Sequence, residues 1–326
     1  MPKLRMVTRA DLTIVRQKRG RGFCYRDAEG ALVCDPQFKA RIGQLAIPPA
    51  WRDVHIAPGE RDHIQCVGTD EAGRVQYIYH PKWETRRSAR KLQRLALLAA
   101  ALPRIRRRVR KDLDAPAGSI ELAQAIALAL VDKTAMRVGS EEYLREHGTR
   151  GAATLYAADV AVEGDEIAID FLAKGNKPAS YRLRNQPLAA ALARIKTLPG
   201  ERLLVHGEGD APTPLNTGAI NAYLRRISGV EVSAKDFRTL RASTMAADAL
   251  SRLAPESSES ARKRQMAEVT REVAAALQNT PAISRKSYIA PALFKLFGSG
   301  RLQPLWASAN GHPEARLGVV LREVCG

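Results

Sequence analysis

The spacing of apolar residues changes once along this chain, and that change limits the folds it can adopt. Over the first ninety or so residues the sequence is β-prone, and residues 64–80 predict a hairpin whose turn, Asp70-Glu-Ala-Gly73, ends on a glycine suited to positive φ. From about residue 86 the spacing becomes helical. We therefore predict an α+β protein with a β-rich N-terminal domain, 1–90, and a larger, mainly α-helical domain, 91–326.

The larger domain is predicted to contain a core helix and a small three-stranded antiparallel sheet. Residues 119–136 are apolar on almost every side, which is typical of a core helix, and Ser119 suits the N-cap. Two strands, 154–162 and 167–171, precede the tight turn Lys174-Gly-Asn176 and a third strand. The tail after residue 296 shows no clear pattern. Three further helices are predicted over residues 216–227, 233–250 and 258–277.

The chain carries a large excess of positive charge. Its 52 Lys and Arg against 34 Asp and Glu give a formal net charge of +18, which argues for a polyanionic partner such as DNA or RNA rather than a membrane surface. Residues 91–111 hold eight cations and no acid. We predict that these charges are unpaired and contact phosphate, with a solvated helix face as the alternative.

Several classes of protein are excluded by what the sequence lacks. It has no run of about 18 apolar residues for a membrane span and no apolar core of a signal peptide near its start. Its six histidines show no metal-ligand spacing, and it contains no phosphate-binding glycine loop. We expect a cytoplasmic, nucleoid-associated protein without metal or cofactor. Its scattered cysteines are expected to be reduced thiols: Cys24, Cys34, Cys66 and Cys325.

One tyrosine near the end of the chain, Tyr288, follows three isolated cations, Arg137, Lys174 and Arg238. Each alone has a plainer interpretation: a packed aromatic, a helix-end cation, a turn lysine and an ion-pair partner of Asp236. Together they match what attack on a phosphodiester requires. A hydroxyl acts as the nucleophile, guanidinium groups meet the charge on the phosphate oxygens, and an ammonium protonates the leaving oxygen.

The segments around these residues resemble type IB DNA topoisomerases of the small bacterial and poxvirus kind. The order and spacing match over about residues 45–292, and 47–51 and 73–79 also resemble that family's N-terminal domain. Any one motif is weak, whereas four in order are specific. The motifs are Asp132-Lys-Thr-Ala-Met-Arg137-Val-Gly139, Phe171-Leu-Ala-Lys174-Gly175, Lys235-Asp-Phe-Arg238-Thr239 and Ser287-Tyr288.

The resemblance implies a role for each matching residue. Tyr288 is the nucleophile that forms a 3′-phosphotyrosyl bond, Arg137 and Arg238 hold the scissile phosphate, and Lys174 protonates the departing 5′ oxygen. Asn279 stands where poxvirus members carry a histidine, and its neutral amide can still donate a hydrogen bond to a phosphate oxygen. The acidic segment Ser140-Glu-Glu142 also departs from poxvirus members. DNA contacts are implied for Gln76, Tyr77, Tyr79 and Tyr143.

The expected function is relaxation of supercoiled DNA of both signs, without ATP or metal, by a monomer whose two domains clamp duplex DNA. A tyrosine recombinase or integrase is the nearest alternative, because it uses the same phosphotyrosyl chemistry. Such enzymes usually carry a histidine where this chain has Lys235. A non-catalytic DNA-binding protein on the same fold is the other alternative.

Overall fold

The computed structural model of the protein describes residues 3–207, 209 and 211–325. The chain divides into two compact units at Lys91 and Leu92. In the described residues no helix combines the length and apolar character that a membrane span needs. Cys24, Cys34 and Cys66 are free thiols, whereas the side chain of Cys325 lies outside the described part.

The N-terminal unit is built on a five-stranded antiparallel sheet with the order β2-β1-β3-β4-β5. Helix α1, Pro36–Leu45, begins at the N-cap Asp35, whose carboxylate accepts backbone N–H bonds from the first turn. Apolar side chains of α1 and the sheet form the unit's core, among them Phe38 and Ile56. The strands are β1 Ile14–Arg19, β2 Gly22–Arg26, β3 Arg52–Ile56, β4 Ile64–Thr69 and β5 Val75–Tyr79.

The predicted hairpin is confirmed as β4 and β5. Gly73 has a φ of +75° in its turn, a conformation that glycine adopts without a steric penalty. Tyr77 and Tyr79 lie on one face of β5, with ring centroids 5.9 Å apart. Gln76 points to the opposite face, since side chains alternate along a strand, and donates a hydrogen bond to Asp70 at 2.9 Å.

The C-terminal unit is mainly helical, as predicted. Helix α2, Pro81–Asp112, crosses the division between the units and begins earlier than the predicted residue 86. Two helices and the end of a third lie after residue 296, where the sequence showed no clear pattern. The remaining helices are α3 Ile120–Thr134, α4 Glu141–His147, α5 Gln186–Ile195, α6 Thr217–Ser228, α7 Lys235–Ser251, α8 Glu259–Ala276, α9 Pro281–Ile283, α10 Pro291–Gly298, α11 Leu302–Ser308 and α12 Pro313–Cys325.

The predicted three-stranded sheet is present with the order β6-β7-β8, although its first strand starts later than predicted. Two short 3₁₀ turns, Ala152–Thr154 and Ala157–Asp159, come before it instead. The Tyr156 N–H donates a hydrogen bond of 2.8 Å to the Asp159 carboxylate at the start of the second turn. A two-stranded ladder was not predicted. The strands are β6 Val160–Glu163, β7 Glu166–Ala173, β8 Lys177–Arg184, β9 Val205–His206 and β10 Thr213–Pro214.

Helix α3 is the centre of the C-terminal core. All its residues from Leu122 to Val131 are buried, as predicted for a helix that is apolar on every side. Ser119 caps it by accepting a hydrogen bond from the Leu122 N–H. It ends at Thr134, two residues before the predicted end, because Ala135 takes a left-handed conformation with φ of +53°.

The prediction that the cations of residues 91–111 are unpaired is wrong for at least three of them. Arg94 forms an ion pair with Asp236 at 2.6 Å, and Arg108 pairs with Asp112 at 2.8 Å. Arg106 contacts two acids, Asp132 at 2.8 Å and Glu314 at 3.0 Å. The sequence segment contains no acid, but the fold and the next helical turn bring acids to it.

Candidate active site

A cleft of about 470 Å³ in the C-terminal unit brings together side chains from all four motifs. Arg137, Lys174, Arg238 and Tyr288 line it, together with Tyr143. A second cleft of about 380 Å³ shares three residues with the first and adds Asn279. The shared residues are Arg137, Arg150 and Lys174.

Arg137 lies in the segment that follows α3, and close backbone packing fixes that segment. The Arg137 carbonyl accepts a hydrogen bond from the Ala152 N–H at 2.9 Å. A Cβ atom at Gly151 would lie 2.5 Å from the Arg137 carbonyl oxygen, and one at Gly139 would lie 2.5 Å from Thr154 Oγ1. The two glycines therefore permit the approach that sets the position of Arg137.

Arg238 projects from α7 and is almost fully buried, with 3% of its surface exposed. Its guanidinium donates hydrogen bonds to the carbonyls of Ala135 and, at 2.9 Å, Leu277. Its buried Nε has no hydrogen-bond partner among the described residues. Burial and the nearby charge of Arg137 lower the pKa of Arg238 from its usual value, so the site concentrates positive charge at a cost in solvation.

Tyr288 ends the π-helical turn Ser284–Tyr288 and is 9% exposed. The Ser243 hydroxyl donates to the Tyr288 carbonyl at 3.1 Å and accepts from the Ala290 N–H at 3.0 Å, which fixes the backbone on both sides of the ring. The Arg238 guanidinium carbon lies 5.0 Å from the ring centroid.

The electrostatic environment of Tyr288 favours loss of its hydroxyl proton. Burial alone raises the pKa of Tyr288, because it penalises the phenolate. The charges of Arg238, Arg137 and Lys235 outweigh burial and bring the pKa of Tyr288 below its ordinary value. A lowered pKa is the property that a tyrosine nucleophile needs near neutral pH.

Lys174 is the first residue of the turn between β7 and β8. Gly175 and Asn176 both have positive φ there, +79° and +58°, and the lysine side chain is exposed. Its Nζ lies 3.5 Å from the Tyr143 hydroxyl and 5.0 Å from the centre of that ring. Tyr143 is positioned by α4, whose N-cap Ser140 accepts the Tyr143 N–H.

Asn279 lies just beyond α8, in a Schellman motif. Gln278, with φ of +49°, takes the left-handed position there. The Asn279 N–H donates to the Ala274 carbonyl at 2.9 Å, and its Oδ1 accepts the Thr280 N–H at 3.1 Å. Its buried Nδ2 has no partner among the described residues, so the amide retains donors for a ligand.

Three residues of the site were not singled out by sequence reasoning. Lys235 lines the first cleft, and sequence reasoning had noted it only as part of the Arg238 motif and as the position where recombinases usually carry a histidine. Tyr181 lines the second cleft, and burial raises its pKa in spite of the charges of Arg238 and Arg137. Arg150 lines both. The only signal for Arg150 was a single large cation in the run Gly148-Thr-Arg-Gly-Ala-Ala153.

The arrangement suits nucleophilic attack on a phosphate ester. A tyrosine hydroxyl of lowered pKa lies beside a buried guanidinium, a second guanidinium and an exposed ammonium. Such fixed cations stabilise charge that develops on phosphate oxygens. Gln76, Tyr77 and Tyr79 belong to the N-terminal unit, and their contact with DNA stays a prediction.

Known protein families match two parts of the chain. Residues 80–293 match the family described as eukaryotic DNA topoisomerase I, catalytic core, and residues 22–70 match the bacterial DNA topoisomerase IB N-terminal domain. The chain is 28% identical over 284 residues to DNA topoisomerase 1B of Acanthamoeba polyphaga mimivirus, covering 85% of this chain and 84% of that protein.

Among solved structures, the XerH site-specific recombinase bound to a palindromic difH substrate is similar at a TM-score of 0.37 and 14% identity. The match covers 72% of this chain and 60% of that one. This similarity is too weak to support a conclusion about function.

Proposed function

Because this chain belongs to the type IB DNA topoisomerases, we propose that it relaxes DNA supercoils of both signs through a transient single-strand break with a covalent 3′-phosphotyrosine. The observation that carries the proposal is the convergence of Tyr288 with Arg137, Arg238 and Lys174 in one cleft, where the pKa of Tyr288 is lowered. Double-stranded DNA is the substrate, and the protein acts as a monomer.

In the cleavage step the Tyr288 oxygen attacks the scissile phosphorus. The tyrosyl O–P bond forms as the P–O5′ bond breaks, and the proton of the hydroxyl passes to water. Arg238, held by two backbone carbonyls, and Arg137 stabilise the negative charge on the non-bridging oxygens. The Asn279 amide donates its spare N–H to one of the same oxygens.

Lys174 gives its proton to the departing 5′ oxygen. Its position on a hairpin turn lets a long side chain reach into the cleft, and its neighbour Tyr143 limits where the ammonium can lie. General acid catalysis of this kind contributes about 10²–10⁴-fold to a rate. In religation the 5′ hydroxyl returns this proton to Lys174 and attacks the phosphorus. The P–O5′ bond re-forms as the tyrosyl O–P bond breaks, and the Tyr288 oxygen regains its proton from water.

Relaxation occurs between the two steps, when the strand with the free 5′ hydroxyl rotates about the intact strand. The phosphotyrosine conserves the energy of the phosphodiester, so no ATP is consumed. The protein's own cations meet the charge of the transition state, so we expect no requirement for a metal. DNA binding should weaken steeply with salt, since phosphate contacts dominate it.

Plasmid relaxation in EDTA without ATP tests this proposal, with the wild type compared with Tyr288→Phe. We expect the wild type to relax both positively and negatively supercoiled plasmid and the variant to relax neither. Relaxation by the variant would remove Tyr288 as the nucleophile, and a wild type that needs magnesium or ATP would contradict the mechanism. A strand-exchange assay with two marked duplexes identifies a recombinase, and we expect no exchange.

A further inference from the structure

We propose that Arg150, which lies outside the four motifs, is a further ligand for a DNA phosphate in this active site. The inference rests on the proposed function, because it requires DNA in the cleft. It assigns a binding role to a residue that the attack on the phosphodiester does not itself require.

The position of Arg150 places it at the centre of the cationic surface. It lines both clefts, as only Arg137 and Lys174 also do among the described residues. Its backbone N–H donates to the Leu172 carbonyl at 2.8 Å, so residue 150 is fixed beside the strand that carries Lys174 two residues later. A cation held there faces the same ligand as its two neighbours.

The Arg150 side chain is held on one edge only. Its Nε lies 2.9 Å from the Asp159 carboxylate, in an ion pair without the alignment of a hydrogen bond. Its guanidinium carbon lies 4.9 Å from the centre of the Tyr156 ring. Asp159 is itself fixed by the Tyr156 N–H at 2.8 Å. The aromatic ring and the carboxylate therefore set the orientation of the guanidinium plane.

The other edge of the guanidinium remains available. In the part of the chain that the structure describes, the contact with Asp159 is made through Nε, and the two Nη nitrogens, which together carry four N–H donors, make no hydrogen bond. The side chain is only 17% exposed, and Asp159, which is 9% exposed, lines neither cleft. A ligand in the clefts thus meets the guanidinium and not the carboxylate, and the fork of Nη donors matches two phosphate oxygens.

A purely structural role for the Arg150–Asp159 pair is the competing explanation, and the chain offers a matched control. Arg202 is 14% exposed, forms an ion pair with Glu141 at 2.8 Å and donates to the Ala153 carbonyl at 2.8 Å. It lines neither cleft. Loss of Arg202 therefore reproduces the loss of a half-buried, paired arginine without the loss of a cleft cation.

The experiment compares Arg150→Gln with Arg202→Gln on one duplex, measuring binding against salt concentration and single-turnover cleavage. For Arg150→Gln we expect binding weakened by about tenfold or more, and a salt dependence reduced by about one phosphate contact. Arg202→Gln should keep the wild-type salt dependence. Methylphosphonate replacement of single phosphates should reveal one position at which the wild type falls to the level of Arg150→Gln and the variant falls no further.

An unchanged salt dependence in Arg150→Gln, or a loss that is the same at every replaced phosphate, would overturn the proposal. If Arg150→Gln melts at a much lower temperature than the wild type, the proposal is tested with Arg150→Lys instead. It keeps a point charge without the fork, so we expect a normal salt dependence with weaker binding at the same phosphate, and wild-type binding there would contradict the role. Cleavage by Tyr288→Phe would instead refute the proposed function and leave the phosphate contact standing.

Discussion

The two halves of the active site are built in opposite ways. Arg238 and Tyr288 are buried, and backbone carbonyls, a serine hydroxyl and each other hold them in place. Lys174 is exposed on a hairpin turn, and its side chain has one long contact, 3.5 Å from the hydroxyl of the equally exposed Tyr143.

This difference separates the preorganised part of the site from the part that DNA must order. Donors fixed before the substrate arrives cost little reorganisation in the transition state. The buried half therefore contributes to both catalysis and folding. A flexible lysine loses side-chain entropy only when it is bound, so the exposed half should affect catalysis alone.

Lys174→Ala should have the largest effect on rate and none on stability. Loss of the general acid should slow single-turnover cleavage of ordinary DNA by about 10²–10⁴-fold, and leave unchanged the cleavage of DNA with a 5′ sulfur leaving group, which needs no proton. The melting temperature should stay at the wild-type value. Lys263→Ala, at an exposed ion pair on α8, is the surface control. Equal slowing of both substrates would remove the general-acid role.

Arg238→Ala should lower both the rate of cleavage and the stability of the fold. Loss of a preorganised donor should slow cleavage by about 10²–10³-fold. The carbonyls of Ala135 and Leu277 lose their partner, which we expect to cost about 1–3 kcal/mol of folding free energy. Thermal unfolding of the variant measures this as a drop of about 2–4 °C per kcal/mol.

Arg238→Lys is the matched variant for that experiment. It keeps the charge but cannot reach both carbonyls, so it should recover little of the lost rate or stability. Full activity with lysine would contradict the view that the buried half depends on a fixed guanidinium.

Asn279→Ala should slow cleavage more than it lowers stability. The Nδ2 donor that it removes has no partner among the described residues, and the only hydrogen bond of the side chain lost there is that of Oδ1 with the Thr280 N–H. A lost hydrogen bond to a charged group costs about 1–3 kcal/mol, or about five- to 150-fold in rate. Asn279→Asp should be slower still, since a carboxylate near phosphate repels it and donates nothing. An aspartate variant faster than the alanine variant would exclude donation by this side chain.

Lys235→Ala should give the smallest effect, a shift in pH dependence. Lys235 is the weakest of the cations that lower the pKa of Tyr288, and its loss destabilises the phenolate. The pKa of Tyr288 should therefore rise, and the pH–rate profile for single-turnover cleavage should move towards alkaline pH. Lys263→Ala should leave the profile in place. A shift towards acid would contradict the electrostatic account of the nucleophile.

The sequence predicts the elements of the site better than its contacts. The apolar spacing of α3 and the glycine turn after Lys174 are local signals, and both correspond to observed elements. The partners of Arg94 and Arg106 could not be predicted, because Asp236 and Glu314 are distant in sequence and meet them only through the fold. The Nδ2 of Asn279 lacks a partner in the described part of the chain because of the path that the chain takes after α8, which could not be predicted either.

The role of Arg150 could not be predicted from the sequence for the same reason. No spacing rule relates it to Arg137 or Lys174, and it reaches the clefts only because its backbone bonds to Leu172 and its side chain rests on Tyr156. The helices that start after residue 296 could not be predicted for a different reason. Pro313 stands at the start of α12, a position where proline is tolerated, although prolines and glycines in a tail are otherwise typical of irregular structure.

The most direct test of the account is to identify the residue and the DNA end that are joined in the cleavage intermediate. The protein is trapped on a nicked substrate, digested, and the nucleotide-bearing peptide is sequenced by mass spectrometry. We predict a nucleotide attached through its 3′ phosphate to Tyr288, with a free 5′ hydroxyl on the released strand. Attachment to another side chain, such as the neighbouring Tyr181, or linkage through a 5′ phosphate would contradict the account.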